Sequence, residues 1–252
     1  RSKAMFVNDS MLSPQEWFAA QYERAHEQFT KSGFRTYMEI KFSLQNRKKH
    51  FDQQKLTEAV EKSQIHTFGW PIGIIMESDE QFRPKPADNG IYVEGKTERK
   101  DIYKGTYDYW AFNCNGDFYQ LKSIYEDTKN TIAIFFNTRI VRVAETLLFC
   151  EKLYSNLGLA DENPWVDIEI NYFGLKGRLL RSSNFTRHIE RRFPEENEVR
   201  TKGTVSIDEI SPKIIELTEQ FAWPLFVIYE HCGIDYEIYE DIVTDFVNGK
   251  VT

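Results

Sequence analysis

The stretch NTRIVRVAETLLFCEKLYSNLG, residues 137 to 158, limits the fold more than any other part of the chain. At helical spacing its apolar side chains run from Ile140, Val141 and Val143 through Leu147 and Cys150 to Tyr154 and Leu157. A surface helix carries an apolar stripe of roughly 100°, and these residues wrap far more of the circumference. The helix must be enclosed by other elements, and Gly158 supplies the left-handed residue expected just past its end.

The first two turns nevertheless hold Arg139, Arg142 and Glu145. A helix N-terminus carries partial positive charge, so two arginines there call for nearby anions. The chain offers Glu145 itself and the upstream pair Glu126-Asp127. The alternative is a ligand phosphate or carboxylate received by the guanidinium groups and the free amides of the first turn. Both remain open from the residues alone.

Around this helix the pattern is mixed. SPQEW places Ser13 as N-cap, Pro14 at the first helical position and Glu16 three after the cap, a capping box that starts a helix running to about Phe29. FRTYMEIKFSL reads as a strand, DQQKLTEAVEKSQIH as a helix and WPIGIIME as a short buried strand. In YDYWAFNCNGDFYQ the pair Asn115-Gly116 divides two aromatic, alternating runs, the signature of a hairpin. NTIAIFF adds a strand, and VDIEINYFGLKGRLLRSS predicts a second hairpin turning at Gly174 to Gly177. EVRTKGTVSIDEI is a further strand, followed by a helix with Pro212 at its start and a kink before Pro224. Strands in hairpins without strict alternation with helices imply an α+β fold, a mainly antiparallel sheet with helices packed against it.

With 252 residues, 41% of them hydrophobic and 15% aromatic, the chain can bury a large core. One domain over residues 5–252 is expected, with the charged, proline-bearing loop 78–89 as the single candidate subdivision and residues 1–4 read as a tag remnant. The longest uncharged apolar run, residues 221–229, is too short to span a membrane, and the start lacks a secretory leader. Cys114, Cys150 and Cys232 are odd in number and far apart, as for free thiols in a reducing compartment, so a cytoplasmic protein is expected.

Charge is unevenly spread. The net charge is -7, and residues 205–252 hold ten acids against Lys213 and Lys250, whereas residues 176–192 hold six bases against Glu190. Lys176 and Arg178 are therefore secondary candidates for an anion. Arg181, Arg187, Arg191 and Arg192, accompanied by Phe185, His188 and Phe193, form an alternative nucleic-acid surface in which rings would stack on bases. The GLKG turn differs from the GxxG loop of KH modules, which joins helices, because both of its flanks alternate as strands. Trp110, in the aromatic hairpin, serves either the core or an aromatic wall for a planar ligand.

Catalytic signals are weak. The five histidines show no metal-ligand spacing, and no phosphate-binding loop, dinucleotide fingerprint or nucleophile elbow is present. The Cys232 thiol, beside His231, would sit at the negative end of a helix, which raises its pKa. No catalytic residue, metal or cofactor is assigned, and a carboxylate-dependent hydrolase stands as the third reading.

Together, YDYWAFNCNGDFYQLKSIYED, FNTRIVRVAETLLFCEKLYSNLG, FGLKGRLL and IYEDIVTDFVNGKV resemble the C-terminal region of bacterial proteins whose N-terminal part is a Schlafen-type, AlbA-like DNA-binding domain. The resemblance covers residues 105–250 and implies a sensing or effector half, or a standalone relative, without transferring DNA binding to this chain. The expected function is thus a regulatory module that binds an anionic small molecule or a partner, such as a DNA-binding domain. Residues 222–247 are the candidate surface if it forms oligomers.

Overall fold

The computed structural model describes residues 12–46, 49–97, 105–129, 131–183, 191–229 and 234–250. Its elements are, in order, α1 (Pro14–Lys31), β1 (Tyr37–Leu44), α2 (Gln53–Ser63), β2 (Lys85–Ala87), β3 (Gly90–Lys96), β4 (Tyr107–Asn113), β5 (Phe118–Ser123), α3 (Tyr125–Thr128), β6 (Ala133–Phe135), α4 (Phe136–Asn156), β7 (Trp165–Phe173), β8 (Leu179–Arg181), β9 (Glu198–Ser206), α5 (Ile207–Ile210), α6 (Ile214–Val227) and α7 (Tyr236–Val247). The fold is α+β: seven strands pair antiparallel in the order β2-β3-β4-β5-β1-β7-β9, with helices against them.

Alternation along the strands separates two cores. Ile40, Phe42, Trp110, Phe118, Val166 and Ile168 belong to the larger one, which α2, α4, α6 and α7 share. Tyr37, Tyr109, Tyr119 and Phe173 turn to the opposite face, where Trp17, Ala25 and Phe29 of α1 cover them. Both faces of the aromatic hairpin are thus inside. The segment 78–89 contributes β2 and the buried Phe82, which shares the larger core with Val93 of β3.

Several local signals work as the residues require. Ser13 and Glu16 form the capping box, with Ser13 N donating to Glu16 Oε2 at 2.8 Å. The β4–β5 turn is closed by Gly116 N donating to Asn113 O at 3.0 Å, and Gly116 takes φ +89 while Asn115 stays at negative φ. This is a three-residue loop ending in a left-handed glycine, not the two-residue turn that needs two positive φ values. After α4, Gly158 is left-handed at φ +83 and Leu159 N donates back to Tyr154 O at 3.1 Å, closing a Schellman-type cap.

Three expectations are corrected. Residues Trp70–Met76 are irregular, with a turn at Ile72–Gly73, instead of a strand; Gly69 and Gly73 both sit at φ +65, and side chains from other elements take the backbone bonds that a neighbouring strand would. The run after Gly174-Gly177 does not fold back on β7, because β1 and β9 already occupy both edges of that strand; β8 pairs in parallel with β6. Pro212 lies between the separate turn α5 and the start of α6 at Ile214, not at the start of that helix, whereas Pro224 lies within α6, where the sequence places it.

Candidate functional site

Helix α4 occupies the centre of the helical layer, against α2, α5, α6 and α7, with Phe149 5.3 Å from the Phe118 ring of the sheet. Sixteen of its twenty-one residues are buried, Arg139, Arg142 and Glu145 among them. Enclosure on every side explains why its apolar residues wrap the helix, and it forces each charge to find a partner. Arg139 Nη2 donates to Glu126 Oε2 at 2.9 Å, and Glu126 Oε1 accepts from Phe135 N at 2.8 Å at the entry to α4. Arg142 Nη1 pairs with Glu145 Oε2 at 2.5 Å. Arg178 pairs with Asp127, whose other oxygen accepts from Thr36 N at 3.1 Å. The chain's own carboxylates therefore meet these arginines.

A fourth ion pair completes the cluster. Asp108 of β4 lies directly opposite Lys122 of β5, with Oδ2 3.4 Å from Nζ. Burial is the largest influence on both groups. It pushes the Asp108 carboxyl above the usual carboxylate range, against the pull of Lys122. It draws the Lys122 ammonium below the usual lysine range, against the pull of Asp108. Strong desolvation beside a specific charge partner in a cleft is the pattern of functional sites.

The same ions hold the turn Trp70–Gly73. Lys122 Nζ donates to Trp70 O at 3.3 Å and Pro71 O at 3.4 Å, and Arg142 Nη1 to Trp70 O at 2.9 Å. Glu145 Oε1 accepts from Ile72 N at 3.0 Å, and Gln120 Oε1 from Gly73 N at 3.2 Å.

Beside these ions lies a cavity of about 660 Å³. Among the described residues, Arg139, Arg142, Lys122 and Lys129 line it, and Asp108 is the carboxylate on its wall. Glu126 and Glu145 have no exposed surface and are not part of that wall. Thr138 lines it from the first turn of α4, a helix start with no side-chain cap. Met38, Phe68 and Ile124 give it an apolar side, and Phe68 also lies 5.1 Å below the Arg142 guanidinium.

Of the residues singled out in the sequence, Arg139 and Arg142 reach this cavity, with Glu145 buried against Arg142. Trp110 does not: it is fully buried, stacked 6.2 Å from Phe118, and its indole N–H donates to Ile74 O at 2.8 Å. The wall reading of Trp110 is replaced by a core role, because both faces of its hairpin are covered. Arg178 is buried with Asp127 and Thr131 O, and Lys176 is exposed, 3.9 Å from Glu195; neither lines the cavity. Arg181 and Arg191 are exposed and Arg192 is half-buried, while Phe185, Arg187, His188 and the His231-Cys232 pair lie outside the described residues. Cys114 and Cys150 are buried, and burial raises both thiols. Among the described residues, no three His, Cys, Asp or Glu side chains converge as a metal cage, and no helix is long and apolar enough to cross a membrane.

Asp108, Gln120 and Lys122 escape a reading by composition because they sit in an aromatic run. Their signal is register. Once the turn at Asn115-Gly116 fixes the hairpin, Asp108, Trp110 and Phe112 share a face with Lys122, Gln120 and Phe118, so two opposite charges and an amide must enter the core together.

The burial of the pair has a pH consequence. A carboxyl raised in the folded state holds a proton there that the unfolded chain has released, so stability falls as pH climbs from the ordinary carboxylate range through the raised value. Urea denaturation from about pH 4 to about pH 7 should show the unaltered protein losing stability relative to Asp108→Asn as pH rises. A pH-independent difference would contradict the assignment.

Comparison of the chain with known protein families, with curated proteins and with solved structures finds no match.

Proposed function

We propose that this chain is a ligand-binding regulatory module of a bacterial cytoplasmic protein, and that its cavity receives a small anionic molecule. The observation that carries the reading is the charge on the wall: among the described residues, Arg139, Arg142, Lys122 and Lys129 face one carboxylate, Asp108, while the balancing Glu126 and Glu145 are buried off the wall. An anion entering there meets cations in a partly desolvated setting, beside the positive end of α4. Arg139 and Arg142 are the principal contacts, and Lys122 and Lys129 add to the field. The bacterial setting and an attached or associated DNA-binding partner rest on the family resemblance of residues 105–250.

Deleting Arg142 is a poor test, because it would strand Glu145 and release the Trp70 carbonyl. Two milder variants serve. Lys129→Glu reverses a charge at an exposed position on the wall, and Thr138→Phe narrows the cavity without removing a member of any ion pair. At a hundredfold excess over Kd, a bound phosphate ester should raise the melting temperature of the unaltered protein by about 5–10 °C. Both variants should fold and lose most of that rise. Equal shifts in all three proteins would remove the cavity as the site.

A further inference from the structure

Little of the cavity's aliphatic lining is open to a ligand. Met38 and Ile124 keep 1% and 2% of their surface and belong to the larger core. Among the described residues, the large apolar side chains left open on the wall are rings: Phe68 and Trp70 are half-buried, and Tyr125 is 45% exposed. Tyr125 is also held in place. It opens α3, and the two residues after it, Glu126 and Asp127, are buried in ion pairs with Arg139 and Arg178. A ring carried on an anchored turn meets a ligand at little cost in ordering, which is the advantage of a rigid aromatic contact over a flexible one.

Two of these rings stand beside a cation of the same wall. The Arg142 guanidinium lies 5.1 Å from the centre of Phe68, and Lys129 Nζ lies 5.3 Å from the centre of Tyr125. The wall thus offers ring surface and positive charge together. At about 660 Å³ the cavity is of the size that encloses whole small molecules, with room for far more than an inorganic anion. A planar group covers a ring face while losing little conformational freedom, whereas an acyl chain must be ordered bond by bond. A phosphate brings up to two negative charges to this set of cations, and a carboxylate only one.

We infer that the ligand is a nucleotide, its base stacked on Tyr125 beside Lys129 and its phosphate at Arg139 and Arg142. This rests on the anionic reading of the same cavity. The aromatic wall is therefore built by residues outside the β4–β5 hairpin, whose own rings are enclosed by the two cores.

Isothermal titration with adenosine monophosphate, ribose 5-phosphate and adenosine separates the contribution of the base from that of the anion. Every base has a stacking face, so adenine serves for the class. The nucleotide should bind about tenfold or more tightly than ribose 5-phosphate. Tyr125→Ala should weaken the nucleotide about tenfold and ribose 5-phosphate by less than about twofold, while Tyr125→Phe should keep the affinity of the unaltered protein for both. Because Tyr125 is exposed, neither substitution opens the core. Equal binding of the nucleotide and ribose 5-phosphate by the unaltered protein overturns the base assignment and leaves the anion site standing. Losses of equal size for both ligands in Tyr125→Ala mean that the ring only supports the wall, and no loss for either removes Tyr125 from the site; each of these results overturns the inference. If adenosine binds as tightly as its monophosphate, or if neither phosphate binds, the anion reading itself fails.

Discussion

Glu145→Ala will destabilise the protein by about 3–5 kcal/mol. The carboxylate has no exposed surface, pairs with Arg142 and receives the Ile72 amide, so its removal leaves a buried guanidinium without its counter-charge and a buried N–H without an acceptor. The larger part of the cost is the stranded charge, not the lost attraction, because taking a lone ion out of water is expensive and the pair only offsets that expense. The double substitution Arg142→Met with Glu145→Leu removes both charges, and urea denaturation should find it less damaging than Glu145→Ala alone. Were the double variant the less stable of the two, the cluster would be contributing net attraction and the argument would be wrong.

Gly174→Ala should cost about 2–5 kcal/mol, the sum of a left-handed penalty and a steric one. Gly174 sits at φ +77, and a Cβ added there would lie 2.2 Å from the carbonyl oxygen of Arg35, a backbone atom that cannot swing aside. That backbone is fixed: Thr36 Oγ1 donates to Gly174 O at 3.0 Å, and Asp127 accepts from Thr36 N. Gly177 is the control, since it has nearly the same conformation, φ +74, but nothing within 4 Å of its would-be Cβ. Gly177→Ala should therefore pay the conformational part alone, about 1–2 kcal/mol. Equal losses in thermal denaturation would mean that the contact with Arg35 relaxes freely.

What could be read from the residues, and what could not, divides along the range of the interactions. Ser13 and Glu16, Asn115 and Gly116, and the apolar wrap of α4 act within one turn or one hairpin, and they specify the first helix, the β4–β5 turn and an enclosed central helix. The pairing of Arg139 and Arg142 with Glu126 and Glu145 was available as one of two readings because all four lie within twenty residues of one another. Trp70–Met76 misleads because its apolar residues are buried in the way strand residues are, yet its backbone is held by Lys122, Arg142, Glu145 and Gln120 from about fifty to seventy-three residues away. Likewise β8 is turned from β7 only because β1 and β9 claim both edges, a fact of the whole sheet. The cavity had no local signature either: Asp108 and Lys122 become visible as a pair only once the hairpin register is known.

The position of β1 has a consequence for how the molecule is assembled. This strand lies in the middle of the sheet, yet its two neighbours, Phe118–Ser123 and Trp165–Phe173, come from far along the chain. During synthesis, residues Tyr37–Leu44 emerge long before either neighbour exists, carrying Met38, Ile40, Phe42 and Leu44 with both strand edges unpaired. Loop closure over such separations is slow, and an unpaired apolar strand invites pairing with other copies. Until those strands arrive, α1 can cover the face of β1 that carries Tyr37, while the face that carries Ile40 and Phe42 waits for the rest of the larger core.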